Sequence, residues 1–155
     1  MIQRIQTVFL AIAALCAIVL VVADPVMLSL TSSGAVFHLK NLGLFTITGE
    51  ANQLSTYPLI AALALCVILP VFAIFKYGDR KLQMKVVRFG MIVQLAYLVL
   101  LVFYVDRAST LIGEEVDIAP SVWVYTIIVP IICSFLAYRF IKKDDDMVRA
   151  ADRLR

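Results

Sequence analysis

The chain has 155 residues, 63% of them hydrophobic and 16% charged, with a formal net charge of +3 at neutral pH. Soluble domains carry about 25% charged residues, and a chain this short keeps too much surface to bury such an apolar excess. The composition excludes an ordinary water-soluble domain and calls for lipid around much of the surface.

Four runs are free of Asp, Glu, Lys, Arg and His: residues 5–23, 59–75, 89–105 and 122–138. A bilayer core of about 30 Å needs about 17–25 apolar residues of helix, so each run is long enough to cross once. The expected fold class is an all-α membrane protein, a four-transmembrane-helix bundle that forms a single domain over residues 1–155. The first run, within "MIQRIQTVFLAIAALCAIVLVVAD", also has the outline of a secretory leader. Leu15, not a small residue, precedes Cys16, which does not suit lipoprotein processing. The run is read as a retained first span.

Asp24-Pro25 stops that helix, because proline lacks a donor and disfavours helical backbone in the residue before it. The segment 24–58 that follows is too apolar for an idle linker. Val36, His38 and residues 44–48 have strand-like composition around "KNLG", a plausible turn. A small hairpin-like cap on the outer ends of the bundle is expected, with a docking surface for a periplasmic partner as the alternative.

Between the second and third runs stands "KYGDRKLQMKVVR", five basic side chains and one acid. Positive charge flanking spans stays cytoplasmic. With four spans and both termini inside, 12 of the 14 Lys and Arg residues fall on the inner side, leaving only Lys40 and Arg107 outside. Arg80, Lys81, Lys85 and Arg88 are thus read as topology determinants of an N-in, C-in protein. Aromatic residues agree: Tyr57, Tyr104, Trp123 and Tyr125 fall at outer span ends, Tyr77 and Tyr138 at inner ends, the level such rings prefer.

The second outer segment carries Glu114, Glu115 and Asp117. With His38 these could form a cation site, but acids in an exposed turn are ordinarily just solvated, and no metal is expected. The tail 139–155 runs on from the fourth span without Gly or Pro, as a cytoplasmic helix with Lys142–Asp146 and Asp145–Arg149 spaced to pair. It either lies near the headgroups or docks a cytoplasmic protein.

Within the spans Gln94 is the most polar residue, helped by Thr126 and Ser134. Ionisable groups, which mark transport paths and proton relays, are missing there, so Gln94 is read as an intramembrane polar contact between helices. Pro70 and Pro130 should bend spans two and four. Cys16, Cys66 and Cys133 share a mid-span depth but lack CxxC spacing and a histidine partner, and are read as small hydrophobes. Without a nucleophile–base pair, a phosphate-binding glycine loop or a zinc motif, no catalytic residue and no cofactor is assigned. The basic segments suit anionic headgroups of the bilayer, not nucleic acid.

"MIQRIQT", "DRKLQMKVVR" and "KKDDDMVRAADRLR" resemble an uncharacterised family of small four-span inner-membrane proteins of Bacteroidota. The resemblance covers the whole chain and implies the inner membrane of a Gram-negative cell; it brings no activity and no site residues. Two functions are carried forward. The first is a non-enzymatic binding, assembly or accessory subunit for other membrane proteins; a homo-oligomer is the alternative partnership, and recovery only in that form would count against this function. The second is a small transporter or channel for an apolar or lipid-like solute.

Overall fold

A computed structural model describes residues 2–32, 35–46, 54–112 and 116–153, with side chains from residue 5 to residue 150. Its long helices are α1 (Ile2–Val22), α2 (Tyr57–Phe75), α3 (Arg80–Ile112) and α5 (Ile128–Arg153), with a short α4 (Val122–Thr126) leading into the last. Four helical segments are long and apolar enough to cross a membrane, the fourth formed by α4 and α5 together. The helices form a ring in which α1 touches α2 and α5, and α3 touches α2 and α5.

Each helix buries one narrow stripe. On α2 it is Leu59, Leu63, Cys66, Pro70 and Ala73; on α3 it runs from Gln83 through Val87, Gly90, Val93, Gln94, Tyr97, Leu101 and Tyr104 to Ala108. Steps of three and four residues give a repeat near 3.5, the spacing that keeps a seam facing its neighbours in left-handed bundles. α1 repeats it with Gln6, Leu10, Ala13, Ala17 and Leu20. The alanines allow close approach of helix backbones, where packing holds membrane helices together. Leu15, Leu65, Ile68, Ile92, Leu95 and Val99 face outward instead, as the lipid-facing side of a membrane bundle must.

The expected all-α class needs correction. Strands β1 (Leu28–Ser32), β2 (Ala35–Lys40), β3 (Gly43–Thr46) and β4 (Asp117–Pro120) form one antiparallel sheet in the order β3-β2-β1-β4. The expected hairpin is β2–β3, turning at Asn41-Leu42 and pairing Lys40 with Gly43; residues 47 and 48, also expected in it, lie outside the described residues. Two strands were not expected. The second outer segment, read as a solvated turn, supplies β4, which pairs with β1 from Leu28–Pro120 to Thr31–Asp117. The sheet thus ties the segment after α1 to the segment after α3. Four strands are also enough to persist where an isolated hairpin is not. β4 ends the sheet as an exposed four-residue edge with Asp117 at its start and Pro120 at its end, features that discourage further pairing.

Alternation sets the sheet's faces. Leu28, Leu30, Leu39 and Leu44 point into the core and belong to one apolar cluster with Leu59, Leu63, Tyr97, Leu101 and Tyr104 of the bundle. Sheet and helices share this core, and a second cluster around Leu10, Ala73, Val87, Ala137 and Ile141 fills the opposite end.

The prolines act differently from each other. α2 stays continuous through Pro70. At Pro130 the helix breaks: α4 ends at Thr126 and α5 begins at Ile128. The ring of a proline clashes with the carbonyl four residues earlier, here that of Thr126. The expected bend of span four is therefore an interruption three residues before the proline's own position in the first turn of α5.

Candidate functional site

The buried polar groups fall into three places along the bundle. The first surrounds Asn41 at the tip of β2–β3. Its Nδ2 donates to the Leu20 carbonyl at 3.1 Å, and its Oδ1 accepts from the Tyr97 hydroxyl at 2.6 Å. Its backbone N–H donates to Asp24 Oδ1 at 3.1 Å, and its carbonyl accepts from Thr56 Oγ1 at 2.8 Å. One residue thereby links the end of α1, the start of α2 and the middle of α3.

The local sequence explains each link. α1 stops at Val22, leaving its last carbonyls without helical donors; Ala23 N–H serves Val19 and the Asn41 amide serves Leu20. Asp24 adopts φ +37°, a left-handed conformation that Asp tolerates better than most residues, and it turns the chain so that its carboxylate meets Asn41. Thr56 precedes α2, but its hydroxyl goes to Asn41, not to its own helix. The strand turn meets the bundle where α1 ends and α2 begins, and the Tyr97 side chain reaches it from the middle of α3. Buried irregular backbone is tolerated only where protein satisfies its polar groups. At Asn41, backbone and side chain are all bonded.

Neither Asn41, Thr56 nor Tyr97 stands out by type in the sequence reading. A signal existed for one of them. Tyr97 is the tyrosine in the middle of an uncharged run, where a hydroxyl needs a partner.

The second place is Gln94, which is buried and donates from Nε2 to Ser134 Oγ at 3.1 Å, joining α3 to α5. Its Oε1 is buried with no protein partner. Beside it lies a void of about 10 Å³ bordered by Leu63, Cys66, Gln94, Tyr97, Ile127 and Pro130. Holding one water needs about 10–15 Å³, so the void is at the lower limit for a single water. Cys66 is on its wall; Cys16, Cys66 and Cys133 are all free thiols. Gln94→Leu is expected to change stability by less than about 1 kcal/mol, because intramembrane hydrogen bonds average about 0.6 kcal/mol and the exchange also removes an unpaired oxygen. Reversible unfolding in mixed micelles checks this; a loss of several kcal/mol would mean that Gln94 fixes the α3–α5 packing.

The third place is the basic end. Asp79, the one acid of the turn, caps α3 by accepting from Leu82 N–H at 3.0 Å, a standard role for Asp before a helix. Gln83 Nε2 donates to the Ala73 carbonyl at 3.1 Å, closing the C-terminal end of α2 as Asn41 closes that of α1. The four residues read from the sequence as topology determinants then separate. Arg80 Nε lies 3.0 Å from Asp144 Oδ2, an ion pair between α3 and α5 without aligned hydrogen-bond geometry. Arg88 donates to the Tyr138 hydroxyl at 2.7 Å, its guanidinium 5.4 Å from the ring centre. Lys81 and Lys85 border an open groove of about 450 Å³ between α3 and α5, together with Arg88, Tyr138, Lys142 and Arg149. Of the expected tail pairs, Arg149–Asp145 forms at 2.8 Å; among the described residues Lys142 makes no ion pair with Asp146.

Among the described residues, His38 and Asp117 do not come together. His38 Nδ1 faces Ser29 Oγ at 3.3 Å, and Asp117 lies on the far side of β1, across from Thr31. Glu114 and Glu115 lie outside the described residues. Among the described residues no group of three metal-ligating side chains comes together.

The chain belongs to a family described as a domain of unknown function (DUF4293), whose model matches residues 2–154. No curated protein matches it.

Proposed function

We propose that this member of the family is a non-enzymatic, multi-pass protein of a bacterial inner membrane, with both termini in the cytoplasm. It serves as an accessory or assembly subunit for other membrane proteins. The observation that carries this reading is the clamp at Asn41. A sheet built from both outer segments is fastened to the end of α1, the start of α2 and the middle of α3 by four hydrogen bonds at one residue. Such a clamp suits a rigid outer platform, and exposed Leu42 and Ile118 at its rim are the apolar contacts a partner would cover.

Transport of an apolar solute is the second reading, favoured by Pro70, Pro130 and Gln94. It requires another conformation, because the void beside Gln94, about 10 Å³, is far below the roughly 300 Å³ at which ligand pockets begin.

Purification in mild detergent followed by mass spectrometry is expected to recover one membrane protein at fixed stoichiometry. The variants Leu42→Asp and Ile118→Asp should release it while the bundle stays folded. Recovery of the chain alone, combined with solute flux in proteoliposomes, would reverse the preference between the two readings.

A further inference from the structure

The groove between α3 and α5 has a composition that neither the clamp nor the platform uses. Five cations line it, from Lys81, Lys85 and Arg88 on one wall to Lys142 and Arg149 on the other, against the carboxylates of Asp145 and Asp146. Asp145 already holds Arg149, whereas Lys81, Lys85 and Lys142 make no ion pair among the described residues. Five cations against two carboxylates leave an excess of three positive charges, and an anion between them relieves their mutual repulsion. Tyr138 adds a directional donor. Its oxygen accepts from Arg88, so its own O–H is free to donate, and Arg88 has further N–H groups beyond the one used.

The position of the groove distinguishes an anion carried by a lipid from one in solution. Arg88 immediately precedes the uncharged run 89–105 and Tyr138 is the last residue of the run 122–138, which puts both at the level where headgroups meet the hydrocarbon. Following the same helix faces into the uncharged runs, Arg88 is succeeded at helical spacing by Ile92, Leu95 and Val99, all exposed. Tyr138 is preceded by exposed Phe135 and, a further two turns away, exposed Ile128. A cationic mouth thus opens onto an unbroken apolar track of about three turns. This is the division of an acidic phospholipid into phosphate and acyl chains, and basic pockets between membrane helices bind such headgroups.

We propose that this groove is a binding site for the phosphate of an anionic phospholipid. Lys85 and Lys142 supply charge from opposite walls, Arg88 and Tyr138 orient the phosphate oxygens, and the acyl chains lie along Ile92, Leu95 and Phe135. The site would fix the angle between α3 and α5 at their charged ends, where the Arg80–Asp144 ion pair is the other link.

The test is native mass spectrometry and thermal unfolding of the full-length protein in neutral detergent. The titrants are phosphatidylglycerol, phosphatidylcholine, glycerol 1-phosphate and inorganic phosphate. Phosphatidylglycerol should remain bound and raise the unfolding midpoint, with phosphatidylcholine at least tenfold weaker and the two chain-free phosphates at least a hundredfold weaker. Lys85→Gln/Lys142→Gln should reduce phosphatidylglycerol binding at least tenfold; neither lysine makes a bond whose loss would unfold the protein. Lys143→Gln, at the same end of α5 but off the groove, should bind as the unaltered chain does. Equal binding of phosphatidylcholine, or undiminished binding by the double variant, would overturn the site. Equal binding of inorganic phosphate would overturn the lipid as its occupant.

Discussion

Replacing Asn41 with alanine is expected to lower the thermal midpoint in mild detergent by roughly 5–15 °C. The exchange leaves the Leu20 carbonyl and the Tyr97 hydroxyl buried without partners. Each orphaned group costs about 1–3 kcal/mol, and for a chain of this size 1 kcal/mol shifts the midpoint by about 2–4 °C. Tyr97→Phe should cost less, since it empties only the Asn41 Oδ1 site. The two changes should also be non-additive, because they share one hydrogen bond. Asn41→Ala should further raise hydrogen exchange in β2 and β3 before the helices respond, as the clamp is what holds the turn between them. A midpoint within 2 °C of the unaltered protein would show that apolar contacts alone seat the sheet, and the platform reading would lose its main support.

In intact cells, a cysteine at position 42 is expected to react with an impermeant maleimide and one at position 81 to be protected, in a background carrying Cys16→Ala, Cys66→Ala and Cys133→Ala. Leu42 is exposed at the sheet rim and Lys81 at the opposite end of the bundle, so the pair reports orientation directly. The physical drive is the cost of moving cations outward, about 2.3 kcal/mol per charge per 100 mV, on top of the preference for cytoplasmic Lys and Arg. Exchanging Arg80, Lys81, Lys85 and Arg88 for glutamine should give a mixture of orientations. Arg139, Lys142 and Lys143 still hold the C-terminal end, so complete inversion is not expected. Reactivity at position 81 and protection at position 42 in the parent would invert the protein and move the sheet to the cytoplasm.

The helices were legible in the sequence because hydropathy and charge are properties of composition. A stretch without charge over 17 residues or more has few other places to go, and the 12-to-2 division of Lys and Arg follows from reading along the chain. The hairpin tip was legible for a similar local reason, since "KNLG" carries turn chemistry between strand-like residues. β1 and β4 were less so. Leu28–Ser32 and Asp117–Pro120 are short, and they become strands by pairing across some ninety residues of sequence. β4 lacks an apolar alternation of its own, being exposed at all four positions.

The inward faces of the helices were not legible at all, and the cause lies in the solvent. In water, a buried stripe contrasts with a polar surface; in lipid, Leu15 or Leu95 outside is as apolar as Leu20 or Leu101 inside, so periodicity loses its signal. The same holds for the site. Gln94 could be singled out by polarity, but Asn41 could be recognised as a clamp only once folding had placed it beside Leu20, Thr56 and Tyr97. Lys85 and Lys142 share a groove only because α3 and α5 pack side by side. The sequence by itself determined that the chain crosses a membrane and which ends carry the charge, since both depend on transfer energies of single residues. Tertiary structure alone decided which polar groups meet, because a hydrogen bond or an anion site depends on distances between segments that are far apart in the chain.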